Sequence, residues 1–297
     1  MSDQALSMPR KVTIALTGRC NLTCQYCFYA DEMVALSDIS TATWLAFFEE
    51  LRDVGVMSVT LSGGEVFTHP DLWTIIDGVV KNKMRFTILT NGTLITDEVA
   101  ARLAEYRRRL DIIQVSLDGS KPETHNPIRG KKAFERTMRG IEAIKKYDLP
   151  WTVRVTLNKL NVYDLENTLS LLYDDLGLRN LGVNEAFPRG AGACNHSTLE
   201  MTPEERRMAF RIMQEFDAAH PGAAAGAQAG PLVMAQLLEI VEKAELGYDV
   251  KMPHPTGTLS GCGVFWQELS VLHDGTLVPC HQLPQIKLGK IGQDSVR

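Results

Sequence analysis

The sequence predicts an α/β fold built on a parallel sheet, doubly wound or curled into a full or partial barrel. Three observations predict it. Apolar, β-branched runs recur between residues 11 and 187 and alternate with stretches of helical periodicity. Those runs are almost continuously apolar, as strands are when helices cover both faces of a sheet. The unusual polar motifs fall where the runs end, which is where parallel βα architectures gather ligands.

The six runs are KVTIALT, MSVTLSG, RFTILTN, DIIQVSLDG, WTVRVTLN and NLGVNEAF. Helical spacing lies between them over roughly 41–54, 70–81, 97–109, 134–147 and 163–176. Thr96, followed by Asp97 and Glu98, is a natural helix start. After Phe187 the rhythm stops. PRGAGACNHS reads as a loop. Thr202 and Glu205 form a capping box opening the helix TPEERRMAFRIMQEFDAA. HPGAAAGAQAGP reads as a flexible linker, and 231–246 as a further amphipathic helix. Asp274-Gly275, between two β-prone runs, marks a hairpin expected to have little to pack against and frayed edges.

The composition excludes several function classes. With 44% hydrophobic and 23% charged residues the chain is an ordinary globular protein. A net charge of -5 argues against a general nucleic-acid binder. No apolar run is long enough to span a bilayer, and the first residues lack a signal-peptide core. A cytoplasmic protein that binds neither nucleic acid nor membrane is expected. Its six cysteines are too unevenly placed for a disulfide scaffold, so their clustering points to metal or catalysis.

Cys20, Cys24 and Cys27 follow the first strand as C-x3-C-x2-C. A structural zinc site closes with four ligands, and a cubane iron–sulfur cluster normally takes four cysteines. Three thiolates on a cluster leave one iron open to a small molecule. At the other strand ends stand SGGE (62–65), TNG (90–92), SLDG (116–119), NKLN (158–161) and EAFPRG (185–190). Gly63 and Gly64 suit a backbone that a ligand must approach closely.

In combination these motifs resemble the radical S-adenosylmethionine (SAM) enzymes over residues 10–192. The three-cysteine loop has an aromatic, Tyr26, before its last cysteine. SGGE resembles the family's Gly-Gly-Glu, and SLDG with HNPIRG its segment after strand four. The resemblance implies a partial (βα)6 TIM-like barrel with a [4Fe-4S] cluster on Cys20, Cys24 and Cys27. Its open iron would chelate SAM, whose reductive cleavage gives a 5'-deoxyadenosyl radical that abstracts a substrate hydrogen. Gly63, Gly64 and Glu65 would border SAM's amino group. Ser116 and Asp118 would meet ribose or carboxylate, and Arg129 the carboxylate. Tyr26 would present its backbone to the adenine, with Leu157 and Asn158 as weaker adenine-pocket candidates. Glu185 and Asn184 are candidates for a general base that the sequence does not locate.

Cys262 and Cys280 flank the hairpin as C-x12-G-x4-C, with Gly275 at the turn. This resembles the opening of a SPASM or twitch extension, which binds auxiliary clusters, here over 256–297 after a helical linker region, 193–255. A full SPASM run needs more cysteines, so an auxiliary [4Fe-4S] cluster is expected only with further C-terminal ligands, and the chain reads as a fragment. Cys194 reads as incidental, and His281 beside Cys280 as the histidine to watch. The resemblance implies a peptide or protein substrate, made ribosomally, and an electron donor such as flavodoxin or ferredoxin. A small-molecule dehydrogenase or haem-pathway enzyme is the alternative within the family. A zinc-stabilised, non-catalytic binding module is the alternative outside it.

Overall fold

The computed structural model describes residues 9–229, Leu232 and 268–295. The six expected strands are present: β1 (Lys11–Ala15), β2 (Ser58–Ser62), β3 (Arg85–Thr90), β4 (Leu110–Ser116), β5 (Trp151–Leu157) and β6 (Asn180–Glu185). They pair side by side in chain order, all parallel. Alternate positions (Val12, Ile14, Val59, Leu61, Phe86, Ile88, Ile113, Val115, Val153, Val155, Leu181, Val183) are buried in the main core. Each such side chain contributes about 1.5–3 kcal/mol by leaving water.

Ten α-helices complete the 11–219 region that matters here. α1 (Ala30–Ala35) leaves the cysteine loop, and α2 (Thr41–Asp53), α3 (Leu72–Lys81) and α4 (Asp97–Glu105) follow. α5 (Pro122–Arg129) and α6 (Ala133–Lys146) lie between β4 and β5, and α7 (Leu165–Ser170) precedes β6. The short α8 (Ala191–Cys194) and α9 (His196–Leu199) occupy the stretch expected as loop, where Gly190 lets the chain turn back. Caps set the starts of α2 and α4, where Ser40 accepts from the Thr43 amide and Thr96 from that of Val99. A longer helix, α10 (Pro203–Ala219), opens with the expected capping box of Thr202 and Glu205. The helix expected over 163–176 is broken: α7 passes into a π-turn at Leu171–Asp175.

The sheet is wider than six strands. The supposed flexible linker contains β7 (Ala224–Ala229), parallel to β6 with Leu181 opposite Ala225. Alanine and glycine are weak strand formers, but the Ala225 amide donates to Asp217 (2.7 Å) and the Ala224 amide to the Arg179 carbonyl (2.8 Å). Pairing with β6 overrides propensity. The C-terminal hairpin, β8 (Glu268–Val271) and β9 (Thr276–Val278), is likewise not frayed. β8 lies parallel to β1, Lys11 opposite Glu268 through Ile14 opposite Val271, and Val271 and Val278 are buried. β10 (Gly289–Lys290) pairs with β9. Its turn is the expected one, with Gly275 at φ +85° and Asp274 accepting from the Thr276 amide. Cys262 and the helix expected over 231–246, Leu232 aside, lie outside the described residues. No helix among the described residues is long and apolar enough to cross a membrane.

Candidate active site

The cysteine loop leaves the end of β1 and is held from three sides. On the first side stands the end of β2. The Gly64 amide donates to the Thr17 carbonyl (2.8 Å) and the Glu65 amide to that of Arg19 (2.7 Å). A Cβ on Gly64 would lie 2.1 Å from the Arg19 oxygen and 3.2 Å from the Cys20 Cβ, so only glycine fits. Gly63, at φ +130°, takes a conformation that favours glycine. The reason for these glycines is therefore partly internal: they let the loop close on the strand.

The second side is the end of α5. The last carbonyls of a helix lack partners within it, and here three successive ones receive the loop. Pro127 accepts from Gln25 Nε2 (2.6 Å), Ile128 from the Gln25 amide (2.9 Å) and Arg129 from the Cys24 thiol (3.9 Å). The third side follows β6, where the Cys27 carbonyl accepts from the Ala191 amide (2.9 Å) and the Gln25 carbonyl from Asn195 (2.9 Å). A Cβ on Gly190 would lie 2.5 Å from the Cys27 oxygen.

Burial pushes the Cys24 thiol up to about 12 and raises Cys20 and Cys27 too. Metal binding by these thiols would displace their protons. Among the described residues no three His, Cys, Asp or Glu side chains are grouped to hold a single ion. By its chemistry a set of three thiols suits a cluster, each iron of which takes one thiolate, better than a structural zinc ion, which closes with four ligands.

Behind the loop lies a buried polar network that the sequence only partly foretold. Glu65 is 1% exposed. It accepts from the Thr90 hydroxyl (2.7 Å) and the Asn91 amide (2.8 Å), so its carboxylate joins β2 to β3. Burial still raises its pKa. Asp118, equally buried, accepts from Arg129 Nε and the Tyr26 hydroxyl on one oxygen and from the Thr156 amide (2.7 Å) on the other. Asp118 thus takes three internal donors, which tie it to Arg129, Tyr26 and β5. Arg129 also lies over the Tyr26 ring, 5.3 Å from its centre, so Asp118 fixes both. His125 accepts from the Asp118 amide at Nδ1 (3.0 Å), and burial lowers its pKa to about 4. Asn158 is turned inward too, bonding within its own loop to Thr156, Leu160 and Asn161. Asn161, which sequence reasoning passed over, ties that loop to the Asp118 carbonyl (2.8 Å). Ser116 stands half-buried at the end of β4.

Glu185 is gripped by Arg206 through Nε (2.9 Å) and a terminal nitrogen (2.7 Å). Asn184 accepts from Arg154 (3.1 Å), and Leu157 is core. Cys194 is exposed on α8. Cys280 is half-buried, and His281 beside it is buried, its Nε2 3.0 Å from the Val271 carbonyl. Two links between the hairpin and the cysteine loop had no sequence signal. Tyr29 pairs with His273 Nδ1 (2.8 Å), and Arg189 bridges Glu32 and the His281 carbonyl.

Residues 14–172 match the radical SAM superfamily. The chain is 26% identical over 294 residues to the antilisterial bacteriocin subtilosin biosynthesis protein AlbA of Bacillus subtilis, covering 97% of this chain and 58% of that protein. It is 34% identical over 186 residues to the AdoMet-dependent heme synthase of Methanosarcina barkeri, covering 62% and 52%. The chain therefore spans little more than half the length of these relatives. In fold it is similar to Streptococcus suis SuiB bound to its precursor peptide SuiA, with a TM-score of 0.74, 16% identity and coverage of 98% of this chain and 64% of that one.

Proposed function

The chain belongs to the radical SAM superfamily, and from that premise we propose that it uses SAM to abstract hydrogen from a ribosomally made peptide or protein. The observation that carries this reading is the three-thiol loop, clamped by Gly64 and Gly190 at the carboxyl ends of a parallel sheet. Cys20, Cys24 and Cys27 would hold a [4Fe-4S] cluster. When bound, that cluster supplies the electron that cleaves SAM to methionine and a 5'-deoxyadenosyl radical.

The chain's own residues bind and orient. The Gly63–Glu65 backbone borders SAM's amino group. Ser116 and the terminal nitrogens of Arg129 take its carboxylate, while Asp118 holds Arg129 through Nε and so aims the fork. The Tyr26 backbone faces the adenine, its side chain pinned by Asp118. The clamped loop keeps the three thiols in place through reduction. Residues 10–192 carry this site, 193–255 link it, and 256–297 begin an extension holding Cys262 and Cys280. An auxiliary cluster there would need ligands besides those two cysteines. A donor such as flavodoxin or ferredoxin supplies the electron, in the cytoplasm.

A peptide substrate is favoured because the likeness to AlbA runs through 97% of this chain, hairpin included, whereas that to the heme synthase covers 62%. The latter supports the second reading, a small-molecule or haem-pathway reaction. The test incubates reconstituted protein anaerobically with SAM, dithionite and short peptides encoded beside its gene. A peptide mass change that depends on SAM is expected. Turnover of an iron porphyrin with every peptide untouched would select the second reading.

A further inference from the structure

The turn between α5 and α6 carries lysines that its backbone does not favour. Lys132 sits at φ +57°, in the left-handed region where glycine or asparagine is ordinary and lysine uncommon. It is the N-cap of α6 and its side chain makes no capping bond, at a position that prefers Ser, Thr, Asn or Asp. Its charge also stands at the end of α6 where the helix dipole disfavours a cation. Positions that break several local rules at once are expected to be functional. Lys131 and Lys132 are exposed, and Arg136, half-buried, lies one helical turn on. Among the described residues none of the three is in an ion pair. The carboxylates on the same helices are Glu135, 3.4 Å from Asn126 Nδ2, Glu123 at the far end of α5 and Glu142 in the second half of α6. In a chain of net charge -5 this is a local reversal of sign.

The patch adjoins the cysteine loop. The Arg129 carbonyl accepts from the Cys24 thiol (3.9 Å), and Lys131 is two residues further on. At about 3.8 Å per residue, the exposed lysines begin within a short path of that sulfur. We propose that Lys131, Lys132 and Arg136 form the docking surface for a small acidic one-electron carrier protein, whose electron enters on the Cys24 side of the loop. The reduced carrier loses one electron, and the cluster gains it. Charge complementarity of this kind acts chiefly on encounter rate and fades with salt. The inference rests on the proposed cluster at Cys20, Cys24 and Cys27.

The experiment compares the reconstituted parent with Lys131→Glu/Lys132→Glu, using reduced flavodoxin or dithionite as the electron source. With flavodoxin at low salt, 5'-deoxyadenosine formation should fall about tenfold or more, and the parent's sensitivity to added salt should largely disappear. With dithionite, parent and variant should match. Binding of oxidised flavodoxin, followed by fluorescence anisotropy, should weaken in parallel. Lys132→Asn should fold at least as stably as the parent, which separates charge from structure. An unchanged flavodoxin-driven rate, or unchanged binding, overturns the proposal. So does a variant that binds flavodoxin normally but modifies peptide poorly with dithionite, because the patch would then serve the substrate. A parent that cleaves no SAM with dithionite would count against the proposed function instead, and the binding comparison would still decide whether the patch docks the carrier.

Discussion

Gly64→Val should lose its iron as well as its affinity for SAM. Closeness of a ligand to the strand edge would alone predict a variant with normal iron and weak SAM binding. The structure predicts a larger effect, because the added side chain meets the Arg19 carbonyl at 2.1 Å and the Cys20 Cβ at 3.2 Å. Backbone cannot give way there as a flexible side chain would, and overpacking of this kind costs about 1–3 kcal/mol or more. The Cys20 segment must shift, and with it one corner of the thiol set. Iron content after anaerobic reconstitution should fall severalfold. Gly226→Ala on β7, where a Cβ meets nothing within 4 Å, is the neutral control. Parent-like iron in Gly64→Val would show that strand and loop are independent.

Asp118→Ala should be the most destabilising single change in the network behind the loop. Asp118 is fully shielded and its partner Arg129 is 6% exposed. Burial opposes the Arg129 charge, and Asp118 outweighs it, leaving the guanidinium more firmly protonated than usual. Removing the carboxylate leaves that charge unpaired, which costs about 3–5 kcal/mol, and it strands the Tyr26 hydroxyl and the Thr156 amide as well. Urea unfolding should show a loss of that size in unfolding free energy, read as the midpoint shift multiplied by the m-value. Replacing both partners with apolar residues, Asp118→Leu/Arg129→Met, should recover much of the stability without recovering SAM affinity. A loss below about 1 kcal/mol in Asp118→Ala would mean that water reaches the pair.

The contrast between these two residues shows what the sequence could and could not convey. Six strands, most helices, the Thr96 and Thr202 caps and the Gly275 turn were legible because each rests on local patterns: periodicity, side-chain caps or a positive φ. So was the clustering of motifs at strand ends. β7 was not, since its stability comes from β6 and Asp217 rather than from its alanines. Nor was the docking of β8 on β1, a pairing across more than 250 residues of chain. Within the site, residue types were visible but their partners were not. Asp118 and Glu185 looked like groups offered to a ligand, and only the fold supplies Arg129, Tyr26 and Arg206 to occupy them. Nor did the HNPIRG stretch reveal that Pro127 sits inside a helix whose free carbonyls carry the cysteine loop.

The central claim is that Cys20, Cys24 and Cys27 together hold one redox-active cluster that opens SAM. The most direct measurement is 5'-deoxyadenosine release, with iron and acid-labile sulfide counts, in the anaerobically reconstituted parent and in the Cys20→Ala/Cys24→Ala/Cys27→Ala variant. The parent should carry about four irons and release 5'-deoxyadenosine with dithionite, and the triple variant should do neither. A triple variant that keeps its iron and still cleaves SAM would contradict the assignment.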